Sequence, residues 1–475
     1  MLELHDCRAA GSRRCDRVSE GTIPELLFDV AALLITSAAM RPAAEASSVP
    51  AGSSISQVVA VGATVNVPGT VLISPAAVSH AVPISVFEVP QAPSQVSSLT
   101  GIALLSALST LPSEEVASFA SAHAGVIAGL LANPPAANEV TSWWSSLGTS
   151  ARDSLATSAP HLVGNLDGVP TTVRNDANRT WVTQSMVALK AGSRVVGGRA
   201  LSLDTKYELH MLTQVHTALA SKGGPQRSLL SIDTTGQGKA AIVIGNLDTA
   251  DYVTYMVPGM FFTVDGQVKD WTADADDLYT QQVAWLNRLD PVAPGQKQKT
   301  VAVVAWMGYQ TPDLTDIGSL DLANKGRDAL ARVVEGMQAE RAADLPYTTI
   351  VAHSYGSTAA LMALNEYNFS VNALAVVGSP GSSVQSAKDL HVQNGNVFVG
   401  AAAWDPVPSS AWFGSDPASA SYGANAMGVS GQRDAITGKP LGASIGHNEY
   451  FDKGSESIRN LALIGIGRGD LVMKK

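Results

Sequence analysis

Ser354, Asp405 and His447 stand along this sequence in an order that can do acyl chemistry. A serine hydroxyl attacks a carbonyl only when a base takes its proton, a carboxylate holds that base in one tautomer, and N–H donors meet the developing oxyanion. Ser354 lies in residues 348–360, TTIVAHSYGSTAA, which read as an apolar strand, a sharp turn and a helix opened by small residues. A serine at such a strand-to-helix turn has its Oγ pushed out at the sheet edge. The turn needs small neighbours. Gly356 supplies one, and Ala352 stands where the usual G-x-S-x-G pattern has its first glycine.

A strict G-x-S-x-G surrounds Ser444, at 442–446. It follows Thr437-Gly438-Lys439-Pro440, which is turn material, and no helical pattern comes after it. Ser354 is therefore the expected nucleophile. The expected acid is Asp405: VFVGAAAWDPVP runs a strand into it, and Pro406 and Pro408 stiffen the loop. Asp416, in FGSDP, is a rival further from any strand. The expected base is His447, the one histidine of nine that lies downstream of Asp405. His353 adjoins the nucleophile but is expected to pack under the turn, and His391 precedes the strand that carries Asp405. For the oxyanion, the Tyr355 N–H opens the helix behind the nucleophile. The second donor is expected in VPGMFF at 257–262, with the Met260 N–H chosen by position. Met260, Phe261 and Phe262 either line an apolar acyl pocket or pack in the core.

These residues need a scaffold, and the composition allows one. With 475 residues, 45% hydrophobic and only 15% charged, the chain can bury a large α/β core and carry accessory segments. A net charge of −10 without a basic run in the body argues against a nucleic-acid partner. Cys7 and Cys15 are the only cysteines, so neither a metal framework nor a core disulfide can be built from them. No apolar run reaches the ~18–20 residues of a membrane span. Residues 23–40 follow Arg8, Arg13, Arg14 and Arg17 and resemble a targeting signal, but Glu25 and Asp29 interrupt the run. Export and cytoplasm stay equally open.

Three regions are expected. Residues 1–110 are Ala/Ser/Val-rich, with short strands near 57–67 or linker. Residues 111–222 read as helical: one helix from Ser113 to the stop at Asn133-Pro134, one carrying Val140, Trp143 and Trp144, one over 150–159, and long ones through 181–189 and 204–220. The polar stretch 161–179 between them is either a structural network or a wall of the site. From 223 to 475, strands at 227–233, 239–245, 251–257, 300–306, 347–352, 372–378 and 396–402 alternate, after the first pair, with helices at 271–289, 320–339, 355 onward and 455–464. Such alternation implies a mostly parallel sheet with helices on both faces.

Several unusual pieces occur together: Trp143-Trp144 with Leu147, GNLDGVP at 164–170, RNDANR at 174–179, VPG at 257–259, WMGYQTP at 306–312, AHSYGS, VVGSPG at 376–381, DPVP at 405–408, FGSDP at 413–417 and HNEYF at 447–451. In this the chain resembles the actinobacterial α/β-hydrolase family formerly catalogued as a domain of unknown function (DUF1023), over roughly residues 140–455. The resemblance implies an α/β-hydrolase fold and a serine hydrolase, with no one substrate; the leading reading of the residues is a cofactor-free serine hydrolase acting on an ester, thioester or similar acyl bond of a small-molecule or lipid-like substrate. The resemblance also implies a helical N-terminal region, which 111–190 resembles. Two other readings stand beside hydrolysis: acyl transfer to cell-envelope alcohols or sugars, and a non-catalytic binding or secretion module that keeps the fold. Oligomeric state has no signature in the sequence.

Overall fold

The computed structural model describes residues 93–195, 203–220 and 223–474. The expected targeting stretch at 23–40, the strands near 57–67 and both cysteines lie outside the described residues. The core is one eight-stranded sheet: β1 (Arg227–Asp233), β2 (Lys239–Gly245), β3 (Tyr252–Val257), β4 (Val301–Met307), β5 (Tyr347–His353), β6 (Ala373–Val377), β7 (Val397–Gly400) and β8 (Asn425–Ala426). Their spatial order is β1-β2-β4-β3-β5-β6-β7-β8. Both pairings of β2 are antiparallel and all the others are parallel.

The central strands are largely apolar because both faces are covered. All seven residues of β4 and all five of β6 are buried. The side chains divide by strand periodicity. Ile242, Ile244, Val303 and Val351 join one core cluster, whereas Ala241, Val243, Val304 and Ile350 join the other. Trp271 and Leu278 of the helix Val264–Leu289, and Leu461 of Glu456–Gly465, fill the first. Leu330 and Val334 of Asp321–Glu340, and Leu361 and Leu364 of Tyr355–Glu366, fill the second.

Ahead of the sheet come nine helices among the described residues: α1 (Pro93–Val96), α2 (Gly101–Ser109), α3 (Ser113–Ala122), α4 (Ala124–Ala132), α5 (Ala137–Ser146), α6 (Thr149–Ser158), α7 (Pro160–Gly164), α8 (Thr171–Val195) and α9 (Leu203–Ala218). The four within the sheet region are α10 (Val264–Leu289), α11 (Asp321–Glu340), α12 (Tyr355–Glu366) and α13 (Glu456–Gly465). Leu104, Leu105, Phe119, Leu130, Trp143 and Trp144 share a separate apolar cluster. No single helix among the described residues is long and apolar enough to cross a membrane.

Several expectations need correction. The helix expected from Ser113 to Asn133 breaks at His123 (φ −121, ψ 41), and its halves bend by 83°. Helix α2 lies at the end of the segment 1–110, where no helix is expected. It has no charged residue and no side-chain cap, and is held by burying Leu104, Leu105 and Leu108. Helix α8 starts at Thr171, not near Trp181, because the Asp248 carboxylate accepts the Thr171 and Thr172 N–H groups at 3.1 and 3.2 Å. A cap from so far along the chain leaves no local signal. Helix α10 starts at Val264 rather than Trp271, with the Thr263 side chain accepting the Gly266 N–H. The two-residue strand β8 has no pattern of its own.

The polar stretch at 161–179 is a structural network. Arg174 pairs with Asp167 at 2.8 Å, Asn178 donates to the carbonyls of Gly164 and Leu229, and Arg179 donates to Arg227 O. It ties α7 and α8 to the edge strand β1.

Candidate active site

Ser354 sits between β5 and α12 with φ 53 and ψ −133. This left-handed backbone is costly for a side chain with a Cβ and persists only where the surroundings impose it. They do so here by close approach. A Cβ on Gly356 would lie 2.2 Å from Pro258 O, and one on Gly259 would lie 2.6 Å from Ser354 Cβ. Glycine is required at both places. Ala352 needs no such allowance: it is the penultimate residue of β5 and its methyl is part of the core.

His447 reaches Ser354 from a different loop. Its Nε2 is 2.8 Å from Ser354 Oγ and its Nδ1 is 2.9 Å from Asp405 Oδ1. With Asp405 ionised, Nδ1 carries the proton, so Nε2 is free to accept from the serine. Both side chains are shielded, 8% exposed for His447 and 0% for Asp405. Asp405 follows β7, and its loop is joined to the His447 loop by a bridge between Ala403 and Ile445 and by the Gly446 N–H donating to Ala403 O at 2.8 Å. Burial alone would raise the Asp405 pKa. The hydrogen bond and charge of His447, with hydrogen bonds from the Tyr450 hydroxyl and the Val407 N–H, outweigh burial and hold the carboxyl below its usual range.

Three residues with no assigned part in the sequence reading complete the geometry. Tyr450 donates its hydroxyl to Asp405 Oδ2 at 2.6 Å. Burial, then the charge of Asp405, pushes the phenol pKa up, so it stays a donor. Gly378 packs against the Asp–His pair: a Cβ there would lie 3.0 Å from His447 Cε1 and 3.1 Å from Asp405 Oδ2. His353, expected only to pack, also donates Nε2–H to the His447 carbonyl at 2.8 Å. Burial and the neighbouring His447 push its pKa down to about 3, which keeps it neutral. HNEYF and VVGSPG marked Tyr450 and Gly378 as unusual, but only the fold tells what they touch.

Of the two expected oxyanion donors, the Tyr355 N–H is the first of α12, directly behind Ser354. Met260 follows Gly259 in the loop after β3, and this loop is fixed from outside. The Tyr309 hydroxyl donates to Pro258 O at 2.7 Å, and the Phe261 N–H donates to Pro312 O at 3.1 Å. Phe262 is half-buried and packs edge-on against Trp271 at the margin of the core.

The alternatives sit elsewhere. The Ser444 hydroxyl is buried and has no hydrogen-bond partner among the described residues. Asp416 accepts the Ala418 N–H as a turn residue, and His391 bonds to Tyr367 O. Among the described residues, no group of three or more His, Cys, Asp or Glu is placed to hold a metal ion.

An alpha/beta hydrolase family model matches residues 233–415, a span that includes Ser354 and Asp405. An uncharacterized protein of Mycobacterium tuberculosis is 31% identical over 377 residues, covering 70% of this chain and 56% of that protein. The chain thus spans little more than half the length of that relative. An uncharacterized protein of Mycobacterium bovis is 29% identical over 201 residues, covering 41% of this chain and 74% of its own. Among solved structures, an esterase/lipase from an uncultured bacterium aligns with TM-score 0.33 and 9% identity over 60% of this chain and 98% of that one. An S-formylglutathione hydrolase from Agrobacterium tumefaciens aligns with TM-score 0.29 and 11% identity, over 53% and 98%. Strand order and family match together identify the architecture as an α/β-hydrolase fold.

Proposed function

We propose that this protein is a serine hydrolase that cleaves an ester or related acyl bond through an acyl-Ser354 intermediate. The supporting observation is the placement of the His447 ring, 2.8 Å from Ser354 Oγ on one side and 2.9 Å from Asp405 Oδ1 on the other. In this reading His447 Nε2 takes the serine proton as Oγ adds to the acyl carbon. Asp405 holds the tautomer and stabilises the imidazolium. The Tyr355 and Met260 N–H groups receive the oxyanion. His447 then returns the proton to the departing alkoxide, the C–O bond breaks, and the acyl group remains on Ser354. Water, deprotonated by the same imidazole, releases the acid and restores the hydroxyl.

The same reading places the chain with the actinobacterial family formerly catalogued as DUF1023. It makes 223–475 the hydrolase domain and the preceding helices an accessory layer. The test is labelling of the full chain by a fluorophosphonate probe, with the modified residue located by peptide mass. Label on Ser354, lost in Ser354→Ala, is the expected result. Folded protein that takes no label, or labels equally in Ser354→Ala, overturns the proposal. Adding an acceptor alcohol during ester turnover separates hydrolysis from acyl transfer.

A further inference from the structure

Two apolar side chains stand out in water on the loops that carry the proposed acid and base. Trp404, immediately before Asp405, is 88% exposed, and no large apolar side chain among the described residues is more so. Ile445, two residues before His447, is 54% exposed. The Ala403–Ile445 bridge holds these loops side by side. Trp404 has φ 63, and the other bulky residue with left-handed backbone among the described residues is Phe261 (φ 62), beside Met260. Strained backbone of this kind concentrates where function requires it. Further along the acid loop, Trp412 and Phe413 are half-buried, and the Phe413 ring lies 5.6 Å from that of Tyr355, the residue behind the nucleophile.

The two loop segments also carry no Lys or Arg, and the Glu449 carboxylate accepts the Ile445 N–H at 2.8 Å. From 397 to 415 the only ionisable side chain is the buried Asp405, and 441–446, LGASIG, has none. A surface meant for an anionic membrane would carry Lys or Arg here. Tryptophan is the side chain suited to a boundary between apolar matter and water. The location also discriminates between occupants. Trp404 and Ile445 flank the proposed acid and base in sequence, so a rigid protein seated on these loops would crowd the site, whereas an aggregate of substrate would supply it.

Resting on the serine-hydrolase reading above, we propose that Trp404 and Ile445 form a docking surface for an uncharged lipid–water interface, and that the substrate is a water-insoluble acyl ester presented there.

The experiment separates docking from chemistry. Full-length Ser354→Ala protein, which cannot turn over, is floated with neutral triolein emulsion and with phosphatidylglycerol vesicles. Active protein is assayed on dissolved p-nitrophenyl acetate and on emulsified tributyrin. Flotation with the triolein emulsion is expected. Trp404→Ser, and independently Ile445→Ser, should lower the bound fraction and the ratio of emulsion to soluble-ester rate, by about tenfold for the tryptophan. Circular dichroism checks that both variants fold. An unchanged ratio in both, binding to the anionic vesicles alone, or a shift in oligomeric state without emulsion binding overturns the proposal. Flotation lost with Trp404→Ser in a protein that hydrolyses neither ester keeps the surface and rejects the hydrolase reading. Soluble-ester turnover without flotation does the reverse.

Discussion

The Tyr450 hydroxyl donates to Asp405 Oδ2 at 2.6 Å while accepting the Ala402 N–H at 2.9 Å. The carboxylate proposed to orient His447 is therefore held on both oxygens, Oδ1 by the imidazole and the Val407 N–H, Oδ2 by the phenol. Tyr450→Phe removes a donor from a buried charge, which costs on the order of 1–3 kcal/mol. Its expected effect is a fall in kcat of about 10- to 100-fold with KM little changed. The lost hydrogen bond favoured the ionised form, so the Asp405 pKa rises and the acid limb of the pH–rate profile moves to higher pH. A profile that only scales down, with its limb unmoved, assigns Tyr450 a merely structural part.

Gly378 has φ 59, and a methyl group there would press on His447 Cε1 at 3.0 Å and Asp405 Oδ2 at 3.1 Å. Gly378→Ala should displace the pair and cost about 1 kcal/mol or more of stability through the left-handed backbone. Turnover should fall further than thermal unfolding alone accounts for. Activity measured well below the melting temperature checks this, and near-normal turnover there contradicts it.

Ser444 offers the opposite test. Its hydroxyl is buried without a partner among the described residues, so Ser444→Ala removes an uncompensated polar group. Unchanged kcat/KM and equal or higher thermal stability are expected. A loss comparable to that of Ser354→Ala would show that the wrong serine has been chosen as nucleophile.

Glu340, at the end of α11, has its carboxyl pushed up to about 8, by burial first and then by the charge of Asp248, which caps α8. Its ordinary value is 4.5, so between these pH values the native state binds more protons than the unfolded state. Stability is then full below the ordinary value and declines as pH rises towards 8. Glu340→Gln cannot ionise and should flatten that decline. Melting temperatures at acid and alkaline pH are the measurement: a rise of a few degrees confined to the alkaline side is expected, and an equal shift at both contradicts the assignment.

Much of the scaffold was readable because each core strand is a run buried on both faces. KAAIVIG and VAVVAW announce strands whatever surrounds them. The setting of Ser354 was readable because a strand, a sharp turn and a small-residue helix follow in that order, a setting that the complete glycine pattern around Ser444 lacks. What stayed hidden depends on contacts distant in sequence. The α8 start waits on Asp248, and α2 waits on the apolar cluster that buries its leucines. Tyr450 and His353 act through hydrogen bonds to residues that only the folded chain brings near. The sheet order places β3 between β4 and β5, which no local pattern encodes.

The His353 side chain holds the backbone of His447, and Tyr450, three residues beyond His447, holds Asp405. His447 is thus fastened from the segment of Ser354, and Asp405 from the segment of His447. Local opening of the base loop therefore releases the acid as well, and the two loosen as one cooperative unit while Ser354 stays on the sheet. In mild denaturant the population divides into molecules with acid and base both in place and molecules with neither. Activity then fades by loss of competent molecules, at constant KM, ahead of global unfolding.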